Sequence, residues 1–258
     1  MNDATLQAPP QGESRHAGRV RQILPVAIMQ LPKGVPAAWR DASEDMTDGT
    51  AHLEQPVVLV KHGEAVGARA IEIARNLGLP NDLMQAVGDA ARWHDVGKVD
   101  RRFQAMLFDG DPVRAAIADE PLAKSGMPPG ELQRHRDARR RSGMPRGARH
   151  EAWSHSLVAE YLAGQPESYG GDTELVLHLI ASHHGHARPL LPAIIDTADH
   201  QLTAVIDGVL TAAPLPKKVD VNHAQRFQDL NARYGRWGLA LLEAIVRCAD
   251  MTVSGEGS

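Results

Sequence analysis

Residues 81–98 read NDLMQAVGDAARWHDVGK, and the rest of the chain can be organised around them. Leu83, Ala86, Val87, Ala90 and Trp93 recur at three and four, which places them on one face of a helix. Asn81 or Asp82 can cap its start, and Gly97 marks its end. The segment closes on His94-Asp95, two metal-ligating side chains in succession. Neighbouring side chains on a helix diverge by about 100°, so such a pair is better placed to reach two points than one. A carboxylate has an oxygen for each of two cations, which makes Asp95 the natural bridge.

Outward from this segment the helical period continues. Upstream, Val66, Ala70, Ile73, Ala74 and Leu77 form a helix that Gly78 ends. Downstream, a helix is expected from about Glu151 to Leu162, and another from Asp172 or Thr173 through Leu175, Leu179 and Ile180, ending before Gly185. One last long helix carries Phe227, Leu230, Tyr234, Leu241, Leu242, Ile245, Val246 and Ala249. Five helices and little strand signal predict an all-α domain. The aromatics Trp93, Trp153, Phe227, Tyr234 and Trp237 are expected in its core.

Residues 1–19 are rich in Pro, Gly, Gln and Ser and read as a flexible lead-in. The short apolar runs Val20–Met29 and Val57–Lys61 suggest a small hairpin or an extended strap. The organisation is therefore a flexible or accessory segment at 1–56 and a domain at 57–258. Two long connections interrupt that domain. Residues 99–149 hold one short helix around Phe103, Met106, Leu107 and Phe108, then a loop rich in Pro, Gly and Arg. Between Arg134 and Arg149 seven arginines stand against Asp137 alone, a local charge of +6. The second connection, Pro189–Pro216, is a Pro- and Ala-rich loop.

The 28 Lys and Arg against 32 Asp and Glu give a net charge of -4, so no overall basic footprint points to general coating of nucleic acid. The 13 histidines outnumber all Trp, Tyr and Phe together, and histidine is the commonest metal ligand. Cys248 is the single cysteine, which excludes an internal disulfide and any CxxC zinc knuckle and fits a reducing compartment. A metal would be held by His and carboxylate. No apolar run approaches the roughly 18 residues of a membrane span and the N-terminus is polar, so a soluble cytoplasmic protein with no membrane partner is expected.

The candidate ligands fall at or beside helix ends in the order His62, His94-Asp95, His150, His183-His184 and Asp250. Read singly, each has a plainer role: His62 as a helix cap, Asp250 as a helix acid paired to Arg247. In this order the stations resemble the all-α HD superfamily of metal-dependent phosphohydrolases. RHE at 149–151 followed by Ser154, SHHGHARP at 182–189, RCADMTVS at 247–254, KVDRRFQ at 98–104 and RYGRWGLALLEA at 233–244 narrow the resemblance. They are similar to the HD nuclease domain of the CRISPR-associated helicase-nuclease of type I interference systems, closest to the subtype with a C-terminal HD domain. The likeness covers about residues 57–258.

That resemblance implies one metal held by His62, His94, Asp95 and Asp250, and a second by Asp95, His150, His183 and His184. Two ions so bridged activate water for hydrolysis of a phosphodiester. Lys98 would face the scissile phosphate or orient the water, and Ser254 would stand behind Asp250. Imidazole-rich ligation suits nickel, cobalt, iron or zinc and the carboxylates suit manganese, so manganese, nickel, cobalt or iron are expected, with magnesium or zinc as alternatives. The implied substrate is single-stranded DNA, the implied partners an ATP-dependent helicase in the same or another chain and an RNA-guided surveillance complex. Arg136, Arg139, Arg140 and Arg141 are candidate phosphate contacts at the lip of the site. There is no GxxxxGK[ST] phosphate loop, since Gly97-Lys98 is followed by Val99, so the helicase motor is not in this sequence. The chain is then a stand-alone HD subunit or part of a longer polypeptide. Two other readings remain: a nucleotide or cyclic-nucleotide phosphohydrolase, which needs a closed base-selective pocket, and a degenerate HD module used for docking.

Overall fold

A computed structural model describes residues 55–256, except 129, 146, 166–168, 192, 193, 195, 197 and 217–221. The described residues are mostly helical, with two small two-stranded sheets. Strand β1 (Val57–Val58) leads into α1 (Leu59–Asn76), and α2 (Asn81–Trp93) folds back along it. Glycines allow the two helices to approach closely. A Cβ on Gly63 would lie 2.5 Å from the Arg92 carbonyl oxygen, and one on Gly88 would lie 2.6 Å from Ile71 Cγ1.

After α2 the chain tightens into a 3₁₀ turn (Val96–Val99), then α3 (Arg101–Leu107) and α4 (Pro112–Ala116). The Asp100 carboxylate caps α3 by accepting from the amides of Arg102 and Phe103, and Asp111 does the same for α4. Strand β2 (Leu122–Lys124) pairs antiparallel with β1, Val57 opposite Lys124. The run Val57–Lys61 thus divides between a strand and a helix start and finds its partner at Leu122–Lys124. The other half of the expected hairpin, Val20–Met29, lies outside the described residues.

The arginine-rich stretch is a helix, α5 (Leu132–Ser142), where a loop was expected. Its mean polarity hid it: only His135, Ala138 and Ser142 turn inward, one narrow stripe beneath the arginines. Helices α6 (His150–Ala163) and α7 (Thr173–Ser182) follow, the second capped by the Asp172 side chain at the Leu175 amide. The Pro- and Ala-rich connection also contains structure: β3 (Gln201–Ile206) and β4 (Val209–Pro214) form a hairpin. Asp207 and Gly208 turn it at φ of 49° and 80°, the Asp-Gly pattern of a tight hairpin turn. Leu202, Ala204 and Ile206 alternate inward.

The expected single C-terminal helix is two, α8 (Asn222–Tyr234) and α9 (Arg236–Gly255). Gly235 separates them at φ 72°, a backbone state that glycine enters at little cost. The core gathers Trp153 and Leu157 of α6, Leu179 and Ile180 of α7, and Leu242 and Val246 of α9 against Ala86 and Val87 of α2. Trp93, Trp153 and Tyr234 are buried as expected and Phe227 is half-buried. Trp237 is not in the core: it is 79% exposed on the first turn of α9. No described helix is long and apolar enough to cross a membrane.

Candidate metal centre

The seven candidate ligands come together where helix ends converge. His62 stands in the first turn of α1, His94 ends α2, Asp95 enters the 3₁₀ turn, and His150 begins α6. His183 ends α7 with His184 beside it, and Asp250 reaches in from α9. All are buried except His184, which is partly exposed and forms the solvent edge.

Asp95 divides its two oxygens between two groups. Its Oδ2 lies 3.4 Å from His94 Nε2 and 3.7 Å from His62 Nε2, while Oδ1 lies 3.0 Å from His150 Nε2. Around the first oxygen, Asp250 Oδ1 is 3.2 Å from His62 Nε2 and 3.7 Å from His94 Nε2. Around the second, His150 Nε2 is 3.2 Å from His183 Nε2 and 3.1 Å from His184 Nε2. His62, His94 and Asp250 form one set with ligand atoms mutually within 4.8 Å, and His150, His183 and His184 form another.

Helix termini aim the rings. His94 and His183 each place Nδ1 2.6 Å from the carbonyl three residues back, at Ala91 and Ile180. An N–H donated there satisfies a last-turn carbonyl and leaves the Nε2 lone pair directed inward, the usual way a metal-binding imidazole is oriented. Both ring nitrogens of His62 are buried without a hydrogen-bond partner, and Nε2 is close to Asp250 but poorly aligned to it. Several lone-pair donors crowding one space fit a cation between them.

Electrostatics agree with ligation. Burial holds the imidazoles of His62, His183 and His184 below their ordinary pKa, so they stay neutral. Burial pushes the Asp95 carboxyl upward, but His94, Lys98 and His150 outweigh it and keep it well below the usual range. Asp250 is held low in the same way, against burial, by His62 and His94. Burial lowers His94, yet Asp95 and Asp250 together raise it.

The sequence model of the family described as Cas3, HD domain, matches residues 57–250. The chain belongs to the Cas3 HD-domain family. As a Cas3 HD domain it is a metal-dependent HD phosphohydrolase, and its His and Asp clusters fit a divalent-metal site. A search of curated proteins and a search of solved structures each returned no match.

Other features of this Cas3 HD domain surround the ligands. Lys98 is buried, with Nζ 2.7 Å from Asp95 Oδ2 and 3.2 Å from the Ala123 carbonyl, so it faces the Asp95 carboxylate and has little access to solvent. Ser254 donates to Asp250 Oδ1 at 3.1 Å and accepts from Lys124 Nζ. Lys124 is a buried cation that the sequence reading missed, because nothing in PLAKSG signals a partner 130 residues away. Gly97 donates its amide to Ser154 Oγ at 2.8 Å, and a Cβ there would lie 2.3 Å from the Ser154 amide nitrogen. Glu243 was also missed: it takes His178 Nε2 at 2.6 Å and Arg188, pinning α7 and the loop that follows His184 to α9.

The four α5 arginines lie outside this cluster. Arg141 donates to the Asp109 carbonyl at 2.6 Å, Arg140 pairs with Asp137 at 3.0 Å, and half-buried Arg139 reaches the Pro145 carbonyl at 3.5 Å. Arg136 is exposed. A cavity of about 920 Å³ lies beside Trp93, Val96 and Val99 and touches Asp95 alone among the seven.

Proposed function

We propose that residues 57–258 form the catalytic unit of a dinuclear metal-dependent nuclease that cleaves single-stranded DNA in CRISPR interference. The observation that carries this reading is the division of the Asp95 carboxylate, one oxygen toward His62, His94 and Asp250 and the other toward His150, His183 and His184. His62, His94, Asp95 and Asp250 would hold one ion, and Asp95, His150, His183 and His184 the other. Bound divalent ions supply Lewis acidity and a water acidic enough to ionise near neutral pH.

The chain's own groups do the remaining work. The imidazoles of His62, His183 and His184, kept neutral by burial, offer lone pairs without needing to lose a proton. Lys98 helps to hold Asp95 ionised and fixes its Oδ2, and Ser254 orients Asp250 by donating to its Oδ1. No side-chain nucleophile is required. Nickel, cobalt or iron suit the imidazoles and manganese the carboxylates, with magnesium or zinc as alternatives. The helicase that unwinds the substrate resides in the same or another chain, and an RNA-guided complex delivers the target in the cytoplasm.

The closed-pocket alternative, a nucleotide or cyclic-nucleotide phosphohydrolase, finds less support. The one partly exposed candidate ligand is His184 at a surface edge, and the cavity of about 920 Å³ beside the site has only Asp95 of the seven candidates in its lining. The deciding assay incubates the chain with labelled single strands and with nucleoside phosphates across a panel of divalent ions. Two ions per chain and strand cleavage, both lost in Asp95→Ala with the fold intact, are expected. Unchanged metal content and cleavage in that variant would refute the proposal.

A further inference from the structure

The last helix carries an apolar stripe whose two ends, Trp237 and Met251, the described residues leave exposed, while Leu241 between them packs partly against the core. On α9, Trp237, Leu241, Ala244, Cys248 and Met251 follow at alternating steps of four and three, the spacing of one helical face. Trp237 is the most exposed large hydrophobic residue among those described, and Met251 is 51% exposed. A tryptophan so placed loses the burial that ordinarily stabilises it, which marks the face as a contact surface.

Charge along the helix selects the occupant. Arg236 is exposed beside Trp237, and Arg247, with its side chain 34% exposed, stands at the other end. Of the carboxylates, Glu243 is buried, Glu256 beyond the helix end holds Arg69, and buried Asp250 meets Arg247 on one side while leaving the Arg247 side chain 34% exposed. Arg247 also joins the stripe to the metal centre. Its Nη1 lies 3.3 Å from His184 Nδ1 and 3.5 Å from Asp250 Oδ2, at the solvent edge of the site.

We infer that this face of α9 is a lane for single-stranded nucleic acid, with Arg247 on the backbone phosphate nearest the metal centre and Trp237 stacking a base farther along. The inference rests on the nuclease reading. Ten residues separate the two side chains, about 15 Å at roughly 1.5 Å per residue, which is a span of a few nucleotides. An arginine on the backbone and an aromatic face for a base are the two parts of a sequence-tolerant single-strand site. An enzyme receiving an unwound strand of any sequence needs that tolerance.

The test is anisotropy of a labelled single-stranded oligonucleotide titrated with the full chain in chelator, so that nothing is cleaved. Trp237→Ala is expected to raise Kd about 5- to 150-fold, and Trp237→Phe to keep most of the affinity, since a phenyl ring still stacks. Because Trp237 is exposed, both variants should melt like the parent. Equal Kd for Trp237→Ala and the parent, or a parent that binds no single strand, overturns the lane. Loss of self-association in Trp237→Ala, with strand affinity unchanged, also overturns it and assigns the stripe to a second copy of the chain. Cleavage by the parent across divalent ions is scored separately: a parent that cleaves while Trp237→Ala binds normally defeats the lane and leaves the nuclease reading standing.

Discussion

Lys98 and Asp95 form a buried ion pair, and removing one partner of such a pair strands the other charge. Lys98→Met is expected to destabilise the metal-free chain by about 3–5 kcal/mol, read from urea unfolding. Added manganese should recover part of that loss, because a bound cation replaces the ammonium beside Asp95 Oδ2. The same loss with and without metal would place Lys98 outside the ligand environment. At this scale the sequence was informative for ligands and poor for their supports. His94-Asp95 and His183-His184 are visible as adjacent pairs at helix ends. Lys124 and Glu243 are not, because their partners Ser254 and His178 lie far along the chain and only folding brings them together.

The 3₁₀ turn sets the register of the whole site, since it must pass close to α6 for Asp95 to meet His150. Gly97 permits that passage: a Cβ would strike backbone atoms of His150 and Ser154, which cannot rotate away. Gly97→Ala should cost at least about 1–3 kcal/mol, and Tm should fall by roughly 2–4 °C for each kcal/mol. A Tm equal to the parent's would show that the turn and α6 are not rigidly apposed. Helix α5 offers another check. If its exposed arginines meet phosphate, replacing Arg136 and Arg140 by Gln should weaken strand binding and flatten its dependence on salt, whereas an unchanged slope would leave α5 a solvated face. The helix escaped the sequence reading because its inward stripe holds one His, one Ala and one Ser, too little apolar signal to show a period. The β3–β4 hairpin left a sign that the reading passed over, Asp207-Gly208 between two alternating runs.

Across the whole molecule, acid sensitivity follows from histidines buried in neutral form. His155 lies between α6 and α8, its ring 4.6 Å from that of His223 and its Nε2 3.0 Å from Arg226. Burial first, then His223, Arg226 and His178, hold it well below its ordinary pKa of 6.5. The unfolded chain therefore takes up a proton that the folded chain refuses. Stability contributed by His155 is full above pH 6.5 and falls below it by about 1.4 kcal/mol per pH unit until the folded pKa is reached. Urea unfolding of the metal-free chain at pH 7.5 and 5.5 checks this, with His155→Gln expected to show a shallower loss. The sequence by itself determined the helical class, four of the helices nearly to their ends and the order of the ligands, because periodicity and caps are local. Tertiary structure alone decided that Asp95 divides its oxygens between two clusters, that two lysines are buried among them and that Trp237 faces solvent. Those outcomes depend on which distant surfaces meet, and hydrophobicity along the chain does not encode that pairing.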